Sequence, residues 1–369
     1  MTARRIPFLS LAPSEDAPSV RSAIDRVIER GWFVLGPEVE AFEQEFAAAS
    51  GANHAVGVGT GTDALALSLR ALGISAGDEV ITTPLSAAYS ALAILMAGAR
   101  PVFADIDPAR LTIDPERVAD AIGPRTRAIL PVHLYGQAAD MTAIATVAAR
   151  HHLAIVEDCC QAHLSTAAGR PVGSFGAAGA FSFYPTKNLG ALGDGGAILT
   201  NDRALADRLR RLRNGGQTSR YHHQEPGINS RLDELQAAAL RARLPFLPAW
   251  TARRRALAAR YRCALAGSPI GLVPEQDPGH VYHLFVVRTN ARADLQAHLA
   301  ARGIETLIHY PVPIPRQPAL AAADPRECPI ATRACDEILS LPLYPALHDA
   351  DVDTIAEAVH AFASPTAVS

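Results

Sequence analysis

Between residues 54 and 156, short β-branched runs alternate with helical ones, and this alternation decides most of what the chain can become. His54-Ala55-Val56-Gly57-Val58 has the composition of a strand. Thr62 to Leu72 follows, with Leu65, Leu69 and Leu72 at helical spacing. Glu79-Val80-Ile81-Thr82 reads as the next strand, and an Ala-rich helix is expected from about Ser86. Pro101-Val102-Phe103-Ala104 is a third strand. Asp114-Pro115-Glu116 then opens a helix, with Pro in its first turn and acid at its positive end. Ala128 to Val132 and Leu153 to Val156 are further strands around another helix. Repeats of this kind make right-handed crossovers, so an α/β fold is expected: a mostly parallel sheet with both faces covered by helices.

The remainder departs from that rhythm. Gly179 to Phe183 and Ala197 to Leu199 lie too close together for a crossover and predict an antiparallel or edge pair. A basic helix reaches about Arg213, a polar loop runs from Asn214 to Ser230, and Leu232 to Leu244 is helical. At 369 residues the chain exceeds one ordinary core. Pro245 and Pro248 mark a boundary between a large domain, 1–246, and a smaller C-terminal α+β domain, 247–369. The latter is expected to hold a helix at 249–265, a strand from His283 to Arg288, a helix at 292–302, a strand at 305–308 and a last helix from Val352.

Composition removes several functional classes. The longest apolar stretch, Ala87 to Ala99, is broken by Tyr89 and Ser90 and is too short to cross a bilayer, so no membrane partner is expected. The net charge of −3 gives no pull toward nucleic acid. The five cysteines have no zinc-type spacing, and their odd number points to reduced thiols and a cytoplasmic setting. No His-Glu-x-x-His run is present, so no metal site is expected.

Three stretches carry candidate chemistry. Gly57-Val58-Gly59-Thr60-Gly61-Thr62-Asp63 joins a strand to a helix, where free backbone N–H groups and the positive helix end favour a phosphate. The same turn also suits a plain tight turn with a capping Thr. It lacks the Lys of a Walker loop, and the following strand does not end in the acid a dinucleotide site requires. Asp158 stands at the carboxyl end of a central strand, where open α/β sheets place ligands. A carboxylate there needs a cationic partner, such as the protonated pyridine nitrogen of pyridoxal phosphate (PLP), with Gln161 in reach of the ring's phenolic oxygen. A turn-capping Asp is the alternative. Cys159 and Cys160 read as small core residues. Lys187 lies between an apolar strand and a glycine-rich loop, with no other cation from Pro171 to Asn201. Desolvation there lowers the pKa of an amine and suits Schiff-base chemistry, and Ser182 just upstream offers a phosphate ligand. The arginines from Arg203 to Arg213 read as a solvated helix face, with diphosphate binding the second reading.

Taken together, Gly59 to Leu65, Asp158-x-x-Gln161-Ala162-His163, Phe181 to Gly190, Gly193-Asp194-Gly195-Gly196 and Asn229 to Gln236 resemble the DegT/DnrJ/EryC1/StrS aminotransferases. These are fold-type I PLP enzymes related to aspartate aminotransferase. The similarity runs from Gly31-Trp32-Phe33-Val34-Leu35-Gly36-Pro37 through Asp105-Ile106-Asp107-Pro108 and His133 to Gln137, and ends at Ile308-His309-Tyr310-Pro311 and Ser340 to Leu343. By position, the resemblance implies Lys187 as the residue that carries PLP, Asp158 as the partner of the ring nitrogen and Gln161 as a contact of the ring hydroxyl. It implies Gly61, Thr62 and Ser182 as phosphate ligands. Asn229 would reach the phosphate of a neighbouring subunit's cofactor, which implies a homodimer with shared active sites. Tyr221, His309 and Tyr310 are the implied substrate contacts. A dehydratase branch of the family has His in place of the lysine, so Lys187 points to transamination.

Two positions depart from the family pattern. Ala88 stands where an aromatic residue usually stacks on the PLP ring, with Tyr89 beside it, and Pro315 stands where a His is usual. The implied reaction is transfer of an amino group from glutamate to the ketone of a nucleotide-linked deoxy-sugar. Leu111 to Pro115 and His133 to Gln137 are closer to the branch that aminates C3 of a dTDP-3-keto-6-deoxyhexose than to the C4 branch. A C4-keto sugar or an aminocyclitol precursor is the alternative acceptor. A nicotinamide-dependent sugar oxidoreductase and a PLP-binding regulator without turnover are the rivals from other classes.

Overall fold

In the computed structural model, which describes residues 5–12, 14–321, 324 and 326–362, the alternation from 54 to 158 becomes one seven-stranded sheet. Two helices, α1 (Ala17–Arg30) and α2 (Pro37–Ala49), precede it. The repeating part runs β1 (His54–Val58), α3 (Gly61–Ala71), β2 (Glu79–Thr82), α4 (Tyr89–Met96), β3 (Arg100–Phe103), α5 (Pro115–Ala121), β4 (Thr126–Leu130), α6 (Met141–His151) and β5 (Ala154–Asp158). A short hairpin, β6 (Thr166–Ala167) and β7 (Arg170–Pro171), leads to β8 (Ala178–Ser182) and β9 (Gly196–Thr200). Next come α7 (Arg203–Leu212), a second hairpin of β10 (Gln217–Ser219) and β11 (His222–His223), α8 (Glu234–Arg243) and α9 (Leu247–Ala264). The chain closes with β12 (Gly271–Leu272), β13 (Phe285–Arg288), α10 (Arg292–Ala300), α11 (Pro329–Glu337), β14 (Ile338–Leu341) and α12 (Asp349–His360).

The sheet order is β1-β9-β8-β5-β4-β2-β3. Pairings from β3 to β8 are parallel, and β9 runs against both of its neighbours, β8 and β1. The antiparallel reading of β8 and β9 therefore holds, with β1 as the edge beyond them. Neighbouring strand residues divide between two cores, as a period of two requires. Val56, Val80, Leu130 and Val156 face one core, and Ala55, Ile81, Ile129 and Ile155 face the other. Burial on both faces explains why these strands read as continuous apolar runs.

A separate antiparallel sheet, β12-β13-β14, packs its own core with Leu257, Tyr261, Leu295, Ile355 and Val359. Ile6 joins that core and bridges to Ile304. Ile314, Ala331 and Ile338 pack instead into one core of the large sheet, and Asp105 accepts the N–H groups of Ile330 and Ala331 at the start of α11.

Several expectations are corrected. Residues 305–308 form no strand; only Leu307 bridges to Ser340, because Pro311 and Pro313 follow at once and cannot extend a ladder. The helix expected from Ser86 begins at Tyr89, since Ser86 and Ala87 line a cavity. The helix expected from Leu232 begins at Glu234, and the last helix starts at Asp349 with an acidic first turn. The arginine helix is not a free solvated face: Arg208 and Arg211 pair with Glu225, and Arg213 is buried against Glu43. Among the described residues no helix is long and apolar enough to cross a membrane.

Candidate active site

The site forms where β1, β5 and β8 end. After β1 the chain turns at Gly59 and Thr60 into α3, and Thr60 caps the helix by accepting from the Asp63 N–H at 3.0 Å. Ser230 braces the same turn: its hydroxyl accepts from the Gly59 N–H at 2.9 Å and donates to Asp63 at 2.7 Å. Two residues earlier, the Gly57 N–H donates to Glu43, and Arg213 donates to both Glu43 and the Gly57 carbonyl. The turn is thus fixed from behind while the start of α3 stays open in front. Gly61 has no space for a side chain, since a Cβ would lie 2.7 Å from that of Ser182 and 2.9 Å from the Cys160 sulfur. A flat, open seat of backbone N–H groups at a helix start suits a phosphate.

At the end of β5, Asp158 is buried. Its Oδ1 accepts from the Cys160 N–H at 3.1 Å and its Oδ2 from the Ser90 hydroxyl at 3.0 Å. Behind it, Glu157 is fully buried and accepts from the N–H groups of Gly173, Phe175 and Gly176 and from His133. His133 Nδ1 accepts from the Ala139 N–H, which leaves Nε2 as the donor to Glu157. His133, Glu157 and Cys159 lie close enough for a cation, yet the imidazole nitrogens and both carboxylate oxygens are already committed to these bonds.

After β8 a tight turn returns the Lys187 N–H to the Tyr184 carbonyl and aims the lysine back toward Asp158. Lys187 is the sole lysine of the 369 residues. It is half-buried, and among the described residues its amine has no hydrogen-bond or ion-pair partner. Burial pushes the amine below its ordinary value, and the nearby Cys160 and Asp158 oppose that shift without cancelling it. Burial also pushes the Cys160 thiol well up, so it stays protonated.

Gly61, Thr62, Asp158, Gln161, Ser182 and Lys187 all line one cavity of about 560 Å³, and Tyr310 joins them. Gln161 is held at both ends of its amide: Oε1 accepts from the Tyr135 N–H at 2.7 Å and Nε2 donates to the Tyr310 hydroxyl at 3.0 Å. Burial raises the Tyr310 phenol to about 12. His309 lies behind Tyr310, where its Nδ1 meets the Ser340 hydroxyl at 2.9 Å and its carbonyl accepts from the Tyr135 hydroxyl. Burial, with the Lys187 charge, lowers the His309 imidazole to about 4. Tyr89 lines the cavity and Ala88 does not; Pro315 is buried.

Three expected residues do not line this cavity within one chain: His309, behind Tyr310, and two that stand well apart. Tyr221 is 77% exposed in the turn of the β10–β11 hairpin, with Arg220 over its ring. Asn229 is exposed and bridges to Asn214. The sequence reading missed Ser90 and Ser230, and it placed Cys160 in the core although it lines the cavity.

The donor set fits PLP. It offers an amine of lowered pKa, a buried carboxylate with no ion pair of its own among the described residues, and a glycine seat where a side chain would clash. A profile of the DegT/DnrJ/EryC1/StrS aminotransferase family matches residues 15–360. The dTDP-3-amino-3,4,6-trideoxy-alpha-D-glucose transaminase of Streptomyces venezuelae is 50% identical over 97% of this chain and 96% of its own length. The UDP-N-acetyl-3-dehydro-alpha-D-glucosamine 3-aminotransferase of Acidithiobacillus ferrooxidans is 43% identical over 96% of this chain and 97% of its own. The crystal structure of S. venezuelae DesV superposes with a TM-score of 0.93 at 51% identity, covering 96% of this chain and 98% of that one.

Proposed function

The chain belongs to the DegT/DnrJ/EryC1/StrS aminotransferase family, and from that premise we propose that it transfers an amino group from glutamate to the C3 ketone of a dTDP-linked 3-keto-6-deoxyhexose. It is a PLP-dependent transaminase of nucleotide sugars. The observation that carries the reading is the meeting of Lys187, Asp158 and the glycine turn in one cavity. Two relatives with different nucleotides are both named for amination at C3, which supports that carbon over C4.

When bound, PLP supplies the electron sink for the reaction. The N–H groups at the start of α3, with Thr62 and Ser182, hold its phosphate, and the positive helix end adds to the attraction. Asp158 would pair with the ring nitrogen, and Gln161 would contact the ring hydroxyl through its amide. Lys187 is the covalent attachment point and the proton carrier. Burial favours its neutral amine, so Nζ can accept a proton from the substrate carbon and return it. Tyr310 narrows the cavity on the substrate side, with His309 setting its backbone. Tyr89, exposed at the cavity wall, is the aromatic side chain on α4 that would be available to cover the ring where Ala88 offers none.

We further read the protein as a homodimer in which Asn229 and Tyr221 serve the neighbouring subunit's site. Their exposure away from this chain's own cavity supports that assignment. Mixing Lys187→Ala with Asn229→Ala subunits should restore activity that neither variant has alone. The two sheets support a large domain at 1–246 and a small one at 247–369, with Ile314, Ala331 and Ile338 of the latter packing back onto the large sheet. Five unpaired cysteines support a reducing, cytoplasmic setting.

The decisive experiment is mass spectrometry of products from a panel of dTDP- and UDP-linked 3-keto and 4-keto sugars supplied with glutamate. Amination of the 3-keto dTDP sugar is expected. Amination confined to 4-keto sugars or cyclitol ketones would replace the acceptor, and no amination by a PLP-loaded protein would overturn the function.

A further inference from the structure

Asp158 depends on an unusual arrangement for its charge. It is 6% exposed, and among the described residues no guanidinium, ammonium or imidazolium forms an ion pair with it. A buried carboxylate in that position relies on hydrogen-bond donors. It has two, one on each oxygen. The Cys160 N–H on Oδ1 is backbone and would be present whatever residue stood at 160. The Ser90 hydroxyl on Oδ2 is a side chain, and it comes from another element, the first turn of α4.

Ser90 is itself 1% exposed and lines the cavity beside Asp158 and Lys187. Beyond Tyr89 and Ser90, the rest of α4 is Ala, Leu, Ile and Met. A buried helical serine ordinarily turns back onto the carbonyl four residues earlier. Ser68 on α3 does this, donating to Ala64 at 2.7 Å. Ser90, in the first turn of α4, has no helical carbonyl four residues before it, and its hydroxyl donates across to the strand end. The hydroxyl therefore serves Asp158 rather than its own helix.

We propose that Ser90 is a positioning residue for transamination, fixing the rotation of the Asp158 carboxylate and sustaining its charge at the ring-nitrogen end of the PLP site. This rests on the reading of Asp158 as the partner of that nitrogen. With one donor on each oxygen, the carboxylate plane is pinned at two points and lone pairs remain for the ring N–H. Without Ser90 a single backbone bond holds it, and a buried oxygen loses its only donor from the protein.

The test uses full-length apoprotein and PLP. Ser90→Ala, Ser90→Cys and Ser90→Thr are compared with wild type by absorbance titration of PLP binding across pH, with melting of each apoprotein as the folding control. A hydrogen bond to a charged group is worth about 1.5–3 kcal/mol, so Ser90→Ala should weaken PLP binding by roughly 10-fold or more. Ser90→Cys keeps the size but is a weak donor and should follow Ser90→Ala; Ser90→Thr keeps the hydroxyl and should follow wild type. Ser90→Ala and Ser90→Cys proteins that bind PLP as wild type does would overturn the role of Ser90 while leaving the PLP reading intact. If wild type itself takes up no PLP, both fall. If Ser90→Ala melts low, Ser90→Cys decides by the same readouts.

Discussion

Alanine at position 61 probes the phosphate seat at the point where the packing is tightest. A Cβ there would lie 2.7 Å from the Ser182 Cβ, 3.1 Å from the Ser182 Cα and 2.9 Å from the Cys160 sulfur. None of these is the free end of a long side chain. Ser182 sits on β8, hydrogen-bonded to β9, and Cys160 follows directly on β5, so the start of α3 must back away from the sheet. Overpacking of this kind costs about 1–3 kcal/mol. At about 1.3 °C per kcal/mol for a chain of this length, the apoprotein should melt about 1–4 °C lower. The same retreat draws the first N–H groups of α3 away from the phosphate. Losing one such charge-assisted bond, at about 1.5–3 kcal/mol, should weaken PLP binding by roughly 10- to 100-fold. Gly193→Ala is the control, because its Cβ would meet only the end of the Gln236 side chain at 3.3 Å, which must shift slightly while keeping its bond from the Leu192 N–H; its cost should stay within about 1 kcal/mol. Calorimetry of the apoproteins and absorbance titration with PLP measure both effects. A Gly61→Ala protein that melts and binds PLP as wild type does would refute the account of this seat.

Because Lys187 is the sole lysine, borohydride reduction of the PLP-loaded protein should place one pyridoxyl group on that residue. Lys187→Ala should carry none there by peptide mass spectrometry and should lose at least about 100-fold in turnover; labelling elsewhere would sink the assignment. The imidazoles of His163 and His280 are lowered to about 3, in both cases mainly by burial, so they stay neutral in the fold but take up protons below about 6.5 when unfolded. The unfolded chain then binds more protons, so stability is whole above pH 6.5 and declines as pH falls toward 3. His163→Phe, packed among Phe181 and Phe183, should flatten that decline by up to about 1.4 kcal/mol per pH unit in urea unfolding; a parallel curve would contradict it. Arg213→Met leaves the buried Glu43 carboxylate with the Gly57 N–H and the more distant Arg210 at 3.9 Å, and should cost up to about 3 kcal/mol, whereas adding Glu43→Gln should recover part of the loss. Chemical denaturation checks both, and a single-variant cost under about 1 kcal/mol would argue against a buried pair.

The sequence alone determined the parallel sheet, because buried strands and amphipathic helices leave different apolar periods in a linear string. His54–Val58 and the Glu79–Thr82 strand were legible to the residue for that reason. Lys187, Asp158 and the glycine turn were legible because each sits in a short local pattern with its own chemistry. Helices α1 and α2 were not read: α1 buries only Val20, Ala23 and Val27, a stripe too thin to stand out. The β10–β11 hairpin was hidden by its polar composition. Ser90 and Ser230 reach Asp158 and Gly59 across 68 and 171 residues of chain, and nothing local marks either serine as a brace. Local order along the chain fixed which groups the protein has. Only folding decided which of them share a cavity, since contacts between distant segments are settled by the packing of whole layers rather than by any one segment's preference.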